Sequence, residues 1–163
     1  MTKEFSLLIL MLCIVTFVQE FGLSRLTLLE VFPDALSVFL AFIAVTKGQK
    51  TSTTFGFAAG LIAGILSGNI GLHMLANTSA GFLAGFLHTP DDSHATIKQK
   101  VTRFYGAVMT AGFAANAVMA AGYNPLGLPP EYRIVTLGVL EALLSLTLAI
   151  LANQLFLRKS FAD

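Results

Sequence analysis

Tryptophan is missing from this chain of 163 residues, and cysteine occurs once. Without tryptophan, anchoring at a membrane–water interface falls to Tyr105, Tyr123, Tyr132 and the flanking charges. The lone Cys13 excludes an internal disulfide, and its place within an apolar run marks it as a lipid-buried packing residue. Charge is scarce as well: 12% of residues are charged, against about 25% in a soluble domain. The net charge of +1, with no basic run, offers nothing for nucleic acid to bind. Neither a phosphate-cradling loop nor a soluble ATPase segment is present. The pairings Ser67 with His73 and His73 with Ser79 would need the setting of an intramembrane hydrolase, which nothing else supplies. His73, His88 and His94 fall at unrelated depths, and Asp91-Asp92-Ser93-His94 lacks a partner cluster, so no metal site is expected. The expectation is a protein that is not an enzyme and carries no cofactor.

What the chain does have is apolar length. Hydrophobic residues make up 55% and the mean hydropathy is +0.77, the signature of a polytopic, all-α membrane protein. The length fits a single integral membrane domain over 1–163, with no room for a separate soluble one. Lys3 followed by the apolar stretch from Phe5 to Val18 has the look of a signal peptide. The QEFGLS that follows holds no A-x-A-type cleavage site, so the segment reads as a retained first span.

Six short spans are expected, over about 5–21, 33–46, 52–67, 70–87, 105–121 and 134–156. The stretch from Phe55 to Leu87 is too long for one span and barely long enough for two. Ser67, Gly68, Asn69 and Gly71 break it in the middle, as a tight turn or a re-entrant break would. Charge placement tests the count. With six spans, Lys3, Lys47, Lys50, Lys98, Lys100, Arg103, Arg158 and Lys159 share one side, and only Arg25 and Arg133 lie on the other. With one span between 55 and 87 the split becomes four against six. Positive charge gathers on the cytoplasmic side, so the pattern favours six spans with both termini inside. Leu26 to Phe32 reads as an interfacial turn, and Pro33 as the first helical position of span two. Thr89-Pro90-Asp91-Asp92 reads as the start of a short cytoplasmic helix: a threonine cap, proline at the first position, then acids at the positive end of the dipole. Asn124 to Tyr132 is a proline-rich outer loop.

The third span carries Gly56, Gly60, Gly64 and Gly68 at intervals of four, in GFAAGLIAGILSG. On a helix that spacing stacks all four on one face and strips it of side chains. In water each glycine would cost about 1 kcal/mol against alanine. In lipid the bare stripe lets a second helix approach backbone to backbone. The stripe either packs within this chain or forms a groove for a partner protein or a ligand, and its outer surface, or Asp34 beside Pro33, would help hold such a partner.

Polar groups within or beside the spans are the remaining candidates for chemistry. Asp34 sits at the mouth of span two and Glu141 about two turns into span six; Glu20 and Glu30 lie near the outer interface, beside Arg25. A proton or cation path through Asp34 and Glu141 competes with a helix-capping acid and a hydrogen-bonded buried one. His73, Asn77 and Ala80 share one face of span four, suited to a small-molecule pocket or to interhelical hydrogen bonds. Asn116 and Asn153 read the same way.

The order of these features resembles a known family. Pro33-Asp34 opens span two, Gly56-Phe57 and Gly60-Leu61 open span three, and Gly71-Leu72 and Leu75-Ala76 open span four, followed by Gly81-Phe82. This order, in a chain of this length, resembles the rod shape-determining protein MreD of bacteria, best over residues 26–88. The family pattern usually places an aspartate where this chain has Gly64, so any contact made by that aspartate is lost or moved here. The resemblance implies a subunit of the cell-elongation, peptidoglycan-synthesis machinery in the bacterial cytoplasmic membrane. Its partners would be a bitopic MreC-like protein, a RodA-type glycan polymerase with its penicillin-binding transpeptidase, and MreB filaments. It also implies a fold similar to the substrate-binding subunits of energy-coupling factor vitamin transporters, which does not transfer function. A vitamin-binding subunit would need a first span rich in small residues, and SLLILMLCIVTFV is bulky throughout. A proton-coupled carrier would predict an internal repeat, which the sequence does not show.

Overall fold

The computed structural model describes residues 2–27, 31–90, 95–124 and 127–157. These are all-helical, with no strand among them. The helices are α1 (Thr2–Phe21), α2 (Ala35–Lys47), α3 (Gln49–Ser67), α4 (Ile70–Ala84), α5 (Ile97–Gly122) and α6 (Gly138–Ala152). A wider π-type turn, Tyr132–Leu137, leads into α6, and another, Asn153–Leu157, continues it.

Four stretches are long and apolar enough to cross a membrane: Glu4–Arg25, Ile70–Leu87, Ile97–Gly122 and Tyr132–Leu155. The fold is that of a multi-pass, all-α membrane protein. The other two helices differ for separate reasons. α3 has 19 residues but opens on the polar QKTSTT. α2 has 13 residues, about 20 Å at 1.5 Å per residue, against a hydrocarbon core of about 30 Å. It packs against all five other helices. Leu40, Ala41, Ile43 and Ala44 are fully buried, so α2 is the axis of the bundle. Its sequence, ALSVFLAFIAVTK, is apolar on every side, which is the composition of an enclosed helix.

Three local expectations need correction. Pro33 is not the first helical position. Asp34 takes the cap, with extended backbone and Oδ1 accepting from Leu36 N–H at 2.9 Å, and the helix starts at Ala35. A carboxylate can satisfy an orphan N–H, so the cap falls at Asp34 and the helix starts two residues later than expected. Thr89 and Pro90 are not helical, the rest of the short helix expected there lies outside the described residues, and α5 begins at Ile97. Thr96 accepts from Gln99 N–H and Gln99 Oε1 accepts from Thr96 N–H, a reciprocal box stronger than a lone threonine. Asp91, Asp92, Ser93 and His94 lie outside the described residues, as does Glu30. Gly68 leaves the glycine face altogether. It ends α3 in the left-handed conformation (φ +80°), its N–H bonded to the Gly64 carbonyl, with no side chain or backbone near its missing Cβ. Gly68 and Asn69 therefore make a tight turn between α3 and α4.

At the opposite end Gly48 (φ +87°) is the one residue between α2 and α3. Its left-handed backbone makes the corner and lets the His88 ring lie 3.6 Å from where a Cβ would be. His88 Nδ1 in turn reaches the Ala44 and Val45 carbonyls at 3.2 and 3.0 Å, serving the exposed end of α2. Lys47 pairs with Glu4 at 2.9 Å and ties α1 to the same end. Cys13 faces outward from α1.

Candidate functional site

The glycine face and the polar residues are parts of one construction. α3 and α4 run antiparallel, and Gly56, Gly60 and Gly64 meet α4 backbone to backbone. A methyl group on Gly60 would fall 2.5 Å from Met74 Cα and closer still to the His73 carbonyl oxygen. One on Gly64 would fall 2.5 Å from Ile70 Cα, and one on Gly56 would overlap the Asn77 carbonyl. The stripe continues from the other helix: Gly81 meets Ser52 and Gly85 meets Gln49 in the same register. Five glycines thus close the pair along its length. The helix that fills the bare face belongs to this chain.

This approach fixes His73 and Asn77 at the end of the bundle where α1 ends and α2, α4 and α6 begin. A cavity of about 250 Å³ opens there. Asp34, His73, Asn77 and Glu141 all line it, together with Gln19 and Glu20 of α1 and Asn116 of α5. Leu36, Ala76, Met119 and Leu137 supply apolar wall. Among the described residues the wall carries no lysine or arginine.

Each acid sits in a different setting. Asp34 is buried and fully engaged: Oδ1 on Leu36 N–H, Oδ2 accepting from the Ser37 hydroxyl. Its own N–H donates to Ser145 Oγ at 2.9 Å, and Ser145 donates to the Glu141 carbonyl at 2.8 Å. Ala35 N–H donates to Gln19 Oε1 at 2.8 Å. The start of α2 is thereby fastened to α1 and α6. Glu141 is 9% exposed and accepts from Asn116 Nδ2 at 2.6 Å. Among the described residues its second oxygen has no partner. Asn77, 6% exposed, donates to the His73 carbonyl of its own helix at 3.0 Å, and its Oδ1 likewise has none. Asn77 therefore makes no interhelical bond. Asn116 does, and so does Asn153, which donates to Tyr105 Oη at 3.0 Å between α6 and α5. Glu20 is half-buried at the rim and Arg25 is exposed.

Sequence reasoning did not find Gln19, Ser145 or Gly85, and it met Gly81 only in the order of the family motifs. Gly81 and Gly85 carry a signal, a second interval of four in the segment that must pack against the first. Gln19 and Ser145 stand out in no pattern; only the helix packing brings them to Asp34. Pro33 is half-buried ahead of the cap and makes no part of the cavity wall. No group of three acidic, histidine or cysteine side chains converges as on a metal ion among the described residues.

The bundle and its end cavity define an all-α, multi-pass membrane protein with a partly open cavity lined by polar and apolar side chains. No protein-family model, no curated protein and no solved structure matches this chain.

Proposed function

We propose that this chain is a non-enzymatic membrane subunit of the bacterial cell-elongation complex, resembling MreD and acting beside a bitopic MreC-like protein in the cytoplasmic membrane. In this reading all six helices span, the short α2 within a locally thin or protein-enclosed region, and both termini are cytoplasmic. The observation that carries it is where the resembling residues fall. Of the residues of 26–88 that match the family order, Asp34, Gly56, Gly60, Ala76 and Gly81 are buried in the bundle, while Phe57, Leu61, Gly71, Leu75 and Phe82 face outward. Asp34 opens the axial helix, and the α3–α4 glycines close the pair that walls it. Because α4 already fills the glycine face and Asp34 is buried, both act on a partner through the shape they impose. Contact falls to the outer faces, where α1 alone exposes Phe5, Leu10, Ile14 and Phe17.

The test is depletion of the chain from a regulated promoter, with cell width and side-wall incorporation of a fluorescent D-amino acid as readouts. The proposal expects widening cells and loss of side-wall labelling. Unchanged width and labelling after depletion contradict it.

A second reading has one observation in its favour. The polar cavity suits a small-molecule-binding subunit of an energy-coupling factor transporter. The bulky α1, where a coupling surface would need small residues, weighs against it.

A further inference from the structure

The end cavity has the chemistry of a binding site, whichever complex the chain joins. Its negative groups are spread over three helices: Glu20 on α1, Asp34 at the start of α2 and Glu141 on α6. No lysine or arginine among the described residues shares the wall, where His73 is the one basic side chain. An acidic wall alone would be only a cost of folding. The second observation is unspent hydrogen-bonding capacity in two side chains more than nine-tenths buried. Glu141 keeps one carboxylate oxygen, and Asn77 its amide oxygen, without a partner among the described residues. Neither is among the fully buried unpaired atoms, so both are acceptors open to the cavity their side chains line. The cavity wants a donor.

The spacing of the acids narrows the donor. They do not converge as metal ligands do, so a compact ion would reach one and leave the others. A body with some length and an apolar flank would meet the carboxylates at one end and Leu36, Ala76 and Met119 along its side. A cavity of ~150 Å³ holds benzene. By that scale this one, at about 250 Å³, takes about ten non-hydrogen atoms.

We propose that this cavity binds a small organic ammonium ion, its N–H groups donating to Glu141 and Asn77 and its charge neutralising the acidic wall. The inference stands on the cavity alone. It is read on the isolated chain, so its failure leaves the complex assignment untouched.

The test uses the full chain in phosphatidylcholine nanodiscs, titrated calorimetrically with phenethylammonium, with neutral 2-phenylethanol and with calcium. Binding of the ammonium alone is expected, weakened about tenfold in Glu141→Gln, the loss of one charge-assisted bond. Glu20→Gln, at the half-buried rim, provides a second variant that spares the hydrogen-bonded core and is expected to weaken binding less. Discs containing phosphatidylethanolamine separate two sources of the same chemistry. Weakened probe binding there assigns the site to a lipid headgroup amine, and unchanged binding to a free amine. Equal binding of the alcohol, preference for calcium, no binding of the ammonium, or unaltered affinity in both folded variants overturns the proposal.

Discussion

Gly60 of α3 lies directly against the backbone of His73 on α4, and the His73 carbonyl there also accepts from Asn77 Nδ2 at 3.0 Å. The glycine face and the cavity wall therefore share a residue, His73. Room for that carbonyl exists only because residue 60 has no side chain. Helix approach and cavity shape are set by the same contact.

Gly60→Leu is expected to force α3 and α4 apart, with a loss of stability at or above the ~1–3 kcal/mol usual for overpacked cores. Gly71, helical and with open space where its Cβ would be, is the control. Gly71→Ala should be neutral or stabilising by up to about 1 kcal/mol. Thermal unfolding of both variants in the same detergent reads the difference. Equal melting temperatures for the two would remove the glycine face from the account.

Asp34→Ala should cost about 1 kcal/mol through the lost cap, and more because Ser37 loses its acceptor. Asp34→Asn keeps an acceptor for Leu36 N–H and should recover most of that. Refolding equilibria of the pair in mixed micelles measure it. An Asn variant as unstable as the Ala variant would mean that the charge, not the cap, holds the start of α2.

Glu141 and Asn116 join α6 to α5 at 2.6 Å. A double-mutant cycle with Glu141→Ala and Asn116→Ala should show coupling of roughly 0.6 to 1.7 kcal/mol, the range for hydrogen bonds between membrane helices. Additive losses contradict a bond that matters to folding.

Topology is tested on a Cys13→Ser background, since Cys13 is exposed. Cysteines placed at the exposed positions Asn69 and Lys98 should label from outside and from inside the cell respectively. Labelling of both from one side contradicts the six-span arrangement.

The element order was legible because it is written in apolar length and turn residues. Ser67 to Gly71 marks the α3–α4 turn, and Gly56 to Gly64 marks a close approach, since spacing along one helix is local information. Helix starts were less so. Pro33 offered a plausible first helical position and Thr89 a plausible cap, and the caps observed are Asp34 and Thr96 with Gln99. Gly68 keeps the interval of four but lies past the end of the helix, where period no longer means face. His73, Asn77 and Glu141 stood out as polar groups in apolar runs. That they meet Asp34, Gln19 and Glu20 around one cavity depends on α2 being the axis of the bundle. Its short, uniformly apolar sequence hinted at that position only after the neighbours were in place.

The most direct test of the account is gentle-detergent purification of the tagged chain at native expression, followed by mass spectrometry of what accompanies it. Recovery of MreC-like and RodA-type proteins with a penicillin-binding transpeptidase is the predicted result. Recovery instead of ATPase subunits with a coupling membrane protein would contradict it and make the end cavity a transport site.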